Sequence, residues 1–203
     1  MRRFLALGDS YTIGEGVGPA ERWPALLRAR LVANGIEMDE PLVVARTGWT
    51  TDELEAGIKA AAPSGTFDLV SLLIGVNNQY RSRLLGEYRS QVSRLLDRAV
   101  GFAGGRPKRV IALSIPDWGV TPFAEGRDRQ AIAEQLDRFN RVNLEQAKDR
   151  RVRYVDITPI SRRHGADSLY LAADGLHPSA RMYAEWARLV EPVALKALGI
   201  ATG

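Results

Sequence analysis

Phe4-Leu5-Ala6-Leu7-Gly8-Asp9-Ser10-Tyr11-Thr12-Ile13-Gly14-Glu15-Gly16 is the stretch that decides the reading of this chain. An apolar run broken by Gly-Asp-Ser predicts a buried strand that ends in a sharp turn. Ser10 then stands at the carboxyl end of a strand, where open α/β sheets place their ligands. A serine hydroxyl is a weak nucleophile until a base takes its proton. The rest of the chain has to supply that base, an acid to orient it, and donors for an oxyanion.

Outward from this stretch, strands and helices alternate. Trp23 to Asn34 predicts a helix, with Pro24 in its first turn, Gly35 at its stop, and Leu26, Leu27, Leu31 and Val32 on one face. Pro41 to Ala45 is a short strand, followed by the loop Arg46-Thr47-Gly48-Trp49. Thr50 and Glu53 have capping-box spacing, which starts a helix that runs to about Ala61. Phe67 to Gly75 (FDLVSLLIG) is nearly all apolar and suits a central strand covered on both faces. Gly75 to Tyr80 leaves it as a polar loop.

Tyr88, Val92, Leu95, Leu96 and Ala99 then recur at helical spacing, up to Gly104-Gly105. Val110 to Ile115 is a fourth strand, and Pro116-Asp117-Trp118-Gly119 turns away from it. Asp128 to about Arg150 is an amphipathic helix, and Val152 to Ile157 a fifth strand. An irregular stretch reaches Leu176. A last helix begins near Pro178, carrying Met182, Trp186, Leu189 and Val190, with a kink expected at Pro192. Helix-length connections permit parallel pairing. The expectation is one domain over 1–203: an α/β fold, a three-layer α/β/α sandwich around a flavodoxin-like five-stranded parallel sheet. In such a sheet the loops after the strands share one edge. Ser10, Gly48, Asn77 and Asp117, far apart in sequence, become neighbours.

Composition narrows the function classes. The chain has 203 residues, 45% hydrophobic and 26% charged, as in an ordinary soluble domain. With no cysteine, disulfides and thiol nucleophiles are excluded, and with only two histidines no metal site or other cofactor is expected. The formal charge of +4 comes from arginines scattered among acids on helical stretches, which reads as solvated faces and not as a nucleic-acid surface. Met1-Arg2-Arg3 and the apolar residues after it imitate a signal peptide, but the run stops at Gly8-Asp9. No stretch is long enough for a membrane span. The expected location is cytoplasmic, and the expected partner a small-molecule substrate.

Asp174-Gly175-Leu176-His177-Pro178 is the second informative stretch. A turn between Asp174 and His177 brings the carboxylate to Nδ1 of the imidazole. That fixes the tautomer and leaves Nε2 to take a proton from Ser10. Alone, the same residues also fit a turn cap and a plain loop histidine. His164, within Arg162-Arg163-His164-Gly165, reads as a solvated loop residue. Asp9 and Asp117 are rival acids. Asp9 is read as bonding loop amides, and Asp174 is favoured because it stays near His177.

Here the chain resembles the SGNH, or GDSL, hydrolases. Gly8-Asp9-Ser10, Gly48, Gly75-Val76-Asn77-Asn78 and Asp174-x-x-His177 match their four blocks, from near the start of the chain to its last helix. The family often has aspartate where this chain has Asn78. The resemblance implies an esterase or lipase-like enzyme with catalytic Ser10 as nucleophile, His177 as base and Asp174 as its orienter. It implies an oxyanion hole formed by the Ser10 and Gly48 N–H groups and the Asn77 side-chain amide. Gly48, lacking Cβ, lets backbone approach substrate, and an amide remains a donor at any relevant pH.

Arg46, Trp49, Tyr80, Trp118 and Phe123 are candidate substrate-binding residues. The loop Asp117 to Arg127 is the candidate lid. The aromatics equally fit covers for the sheet ends. The functions that follow are a small carboxylic esterase, a carbohydrate O-acetyl esterase, or a non-catalytic ester- or glycan-binding protein with a hydrolase fold. The Gly-x-Ser-x-Gly elbow and the Gly-Lys-Ser/Thr phosphate loop are both absent.

Overall fold

In the computed structural model, which describes residues 1–200, the five expected strands form one parallel sheet. They are β1 (Phe4–Gly8), β2 (Leu42–Ala45), β3 (Leu69–Leu73), β4 (Val110–Leu113) and β5 (Arg153–Val155), in the order β2-β1-β3-β4-β5. The last three residues of the domain expected over 1–203 lie outside the described residues. Every residue of β1, β3 and β4 is buried, which is why these segments read as continuous apolar runs.

The helices are α1 (Ser10–Ile13), α2 (Trp23–Ala33), α3 (Thr51–Ala61), α4 (Val76–Tyr80), α5 (Leu85–Phe102), α6 (Arg129–Asp149), α7 (Thr158–His164) and α8 (Ala180–Ala197). α2 packs on α8, while α3 packs on α5 and α5 on α6, forming the two helical layers. Their fillings include Trp23, Trp186, Tyr88 and Tyr183, all fully buried. The Thr50–Glu53 capping box starts α3, and the Asp128 carboxylate caps α6 through the Ala131 N–H at 2.9 Å.

Several expectations are corrected. Ser10 and Asn77 open short helices and do not sit in open loops. The stretch read as irregular holds α7 and a 3-10 turn at Ser168–Tyr170. Val32 is 41% exposed, because it lies off the apolar stripe of its helix. α8 runs from Ala180 to Ala197 with Pro192 inside it.

The register sets the edge. Gly8 lies beside both Ala45 and Leu73, so β1, β2 and β3 end at one level. Strand order reverses at β1, and the cleft between β1 and β3 is the switch point where this topology binds ligands.

Candidate active site

The turn at Gly8 needs a glycine. A Cβ there would stand 2.5 Å from the Leu73 carbonyl oxygen and closer still to Thr12 Oγ1. Asp9 then caps α1: its Oδ1 accepts the Tyr11 N–H at 3.1 Å. Burial drives the Asp9 carboxyl up to about 7, against peptide N–H groups that pull it down, and its Oδ2 has no hydrogen-bond partner. Asp9 therefore serves α1 and is not bonded to His177. Ser10 is the first residue of α1, so its N–H has no helical acceptor.

His177 is buried at the foot of the loop before α8. Its Nδ1 lies 2.6 Å from Asp174 Oδ2, while Asp174 Oδ1 accepts the N–H groups of Leu176 and His177, each at 2.9 Å. Burial pushes the Asp174 carboxyl up. The hydrogen bonds from the His177 ring and from the two peptide groups outweigh that and hold it below the usual range. Asp117 is occupied elsewhere: it accepts the Gly119 N–H and the Arg162 Nε, each at 2.9 Å. His164 is not a solvated loop residue. It closes α7, stacks on Tyr170 at 3.9 Å and pairs with Glu185 at 3.5 Å.

Ser10, Gly48, Asn77 and His177 line one cavity of about 190 Å3, together with Tyr11, Thr47, Val76, Tyr80, Trp118, Phe123 and Leu176. Ser10 and His177 share this cavity without a direct hydrogen bond between their side chains among those of the described residues. Such contacts commonly close only when substrate is bound. Asn77 Nδ2 donates one hydrogen to the Trp49 carbonyl at 2.9 Å and has a second in reserve. Gly48 has φ +85°, a left-handed conformation that glycine tolerates. A larger depression, about 630 Å3, lies between α3 and α5 and contains none of these residues.

The sequence of this chain matches the GDSL-like Lipase/Acylhydrolase family over residues 6–185. The chain belongs to that family. The GDSL-family fold recurs in solved structures at low identity. TesA is 21% identical with a TM-score of 0.74, over 97% of this chain and 99% of that one. A variant of Axe2, an acetyl xylan esterase from Geobacillus stearothermophilus, is 21% identical with a TM-score of 0.72, over 100% and 96%. The lipase/acylhydrolase from Enterococcus faecalis is 20% identical with a TM-score of 0.74, over 100% of both chains. No curated protein matches the chain at the sequence level.

Asn78, where the GDSL family often has aspartate, is fully buried and joins α4 to the first turn of α3. Its Oδ1 accepts the Thr51 N–H at 3.0 Å and its Nδ2 donates to Thr51 Oγ1 at 2.7 Å, which in turn bonds Gln91 Oε1. Trp49 and Arg46 depart from expectation, since neither lines the cavity. The Trp49 indole fills the slot at Gly57 on α3, where an added Cβ would meet Cζ3 at 2.5 Å. Tyr80, Trp118 and Phe123 do line the cavity and form one cluster, with ring centroids 5.4 to 6.4 Å apart. Trp118 Nε1 donates to Gln79 Oε1 at 2.8 Å, which fixes the indole against α4.

Tyr11, Val76 and Leu176 are lining residues that the sequence reading of this GDSL chain passed over. Each is adjacent to a motif residue, which was the available signal. Among the described residues, no three His, Asp or Glu side chains gather as a metal-ligand set, and no helix is long and apolar enough to cross a membrane.

Proposed function

We propose that this chain, acting as a single domain, hydrolyses small carboxylic esters through an acyl-enzyme. Ser10 Oγ attacks the ester carbonyl as His177 Nε2 takes its proton. The negative charge on the tetrahedral oxygen is met by the Ser10 N–H, the Gly48 N–H and the second hydrogen of Asn77 Nδ2. His177 returns the proton to the leaving alcohol, then activates water to free Ser10. Asp174 holds the tautomer and stabilises the imidazolium. The observation that carries this reading is the 2.6 Å Asp174–His177 contact at the wall of the cavity that also holds Ser10.

The cavity is smaller than the roughly 300–1,000 Å3 usual for ligand pockets, which favours a short acyl group. It has an aromatic rim, with Tyr80 44% and Phe123 41% exposed, and this supports a second reading: deacetylation of a sugar that stacks on those rings. A chromogenic ester series separates the two. Rates that rise from acetyl to butyryl favour a general short-chain esterase, and rates confined to acetyl favour the sugar ester. In either case Ser10→Ala must abolish hydrolysis without loss of fold. Turnover retained in that variant would refute both, and no turnover by the wild-type protein would favour a binding role.

A further inference from the structure

We propose that Arg81 is a positioning residue that holds the turn carrying the Gly48 N–H for oxyanion stabilisation; this rests on the ester-hydrolase reading above. The two side-chain and backbone donors outside α1 come from different strands. Gly48 follows β2 and Asn77 follows β3. A glycine at φ +85° in a half-buried loop has little of its own to hold it. Arg81, the residue that caps the C-terminus of α4, supplies the hold. Its Nη2 donates to the Gly48 carbonyl at 2.6 Å, and its Nη1 reaches both Glu53 oxygens at 3.2 and 3.3 Å.

Glu53 is itself anchored. Its Oε2 accepts the Thr50 N–H at 2.8 Å, so the guanidinium connects the Gly48 carbonyl to the first turn of α3. A planar fork can span two such acceptors, which a flexible ammonium cannot do equally well. The Trp49 N–H closes the same turn on the Arg46 carbonyl at 3.2 Å. The Gly48–Trp49 peptide is thus tied at both its carbonyl and its N–H, while the Gly48 N–H, on the preceding Thr47–Gly48 peptide, takes no partner among the described residues and stays available to the cavity that Gly48 lines. The Arg81–Glu53 pair is about 40% exposed at each partner, and exposed pairs add little to global stability. The consequence of this bridge is local orientation.

The test uses Arg81→Met and Arg81→Lys in the full chain, with kcat and KM measured on a short-chain ester and the Gly48 amide followed by 15N NMR. A completely lost oxyanion donor costs about 100- to 1,000-fold. A loosened one is expected to lower kcat by about tenfold in Arg81→Met, with KM within twofold and thermal midpoint nearly unchanged. Arg81→Lys should fall between, and the Gly48 amide signal should shift or broaden in step. Wild-type kcat in Arg81→Met with an unmoved Gly48 signal overturns the proposal, as does a rise in KM alone. If Arg81→Met does not fold, Glu53→Gln keeps the Thr50 cap, loosens the same anchor, and carries the same expectations in smaller size. Failure of the wild-type protein to cleave any ester would sink the ester-hydrolase reading, while the NMR arm would still report on the clamp.

Discussion

In the proposed mechanism Asn77 divides its amide between structure and chemistry. One hydrogen is committed to the Trp49 carbonyl at 2.9 Å, and Asn77 lines the same cavity as Ser10, where the proposal assigns the other to the oxyanion. Asn77→Ala is expected to lower kcat by about 100- to 1,000-fold, the usual cost of one oxyanion donor. Steady-state kinetics on a short-chain ester checks this, and a loss below tenfold would remove Asn77 from the role. At this scale the sequence was informative wherever a polar residue had a fixed covalent relation to a strand end. Ser10 and Asn77 were visible for that reason, and Asp174 and His177 because their short spacing confines them to one neighbourhood. Trp49 was not legible, because an aromatic side chain in a strand-following loop can turn toward either the cavity or a helix. The vacant slot at Gly57 decides it, and no local pattern marks that slot.

At the scale of elements, the loop after β2 and the short helix after β3 behave as one braced unit. Asn78 carries the brace, with both ends of its amide engaged by Thr51. Asn78→Ala would leave the buried Thr51 N–H without its acceptor and is expected to cost about 1–3 kcal/mol by urea denaturation. No change in midpoint would show that the brace is dispensable. Gly57→Ala tests the neighbouring contact. Its Cβ would intrude on the Trp49 indole, so a comparable loss of about 1–3 kcal/mol is expected from overpacking, with a shift in tryptophan emission. Long elements were easy to read, because α5 and α6 repeat their apolar residues over several turns. α7 was missed because its seven residues present only Ile160 as a large apolar side chain, and Pro159 in the first turn was the one cue to a helix start.

The whole molecule balances a buried carboxyl beside its candidate nucleophile. Asp9, raised to about 7, keeps its proton in the folded state at pH values where the unfolded chain, with the ordinary value of 3.8, has released it. Between those values the native state binds more protons, so stability falls as pH rises, by at most about 1.4 kcal/mol per pH unit, and levels off above 7. Carboxylates held low, such as Asp174 and Asp52, act below this window and in the opposite sense. The urea midpoint should therefore be higher at pH 5 than at pH 8, and Asp9→Asn should flatten the trend. A midpoint that rises toward pH 8 would contradict the assignment. A parallel sheet with its reversal at β1 brings the start and the end of the chain to one rim, where the proposed chemistry has His177 activate Ser10. A fluorophosphonate probe, with the adduct located by mass spectrometry, tests this most directly. The adduct is predicted on Ser10 in the wild-type protein and absent in His177→Ala. Labelling of a different residue, or equal labelling of Ser10 without His177, would contradict the account.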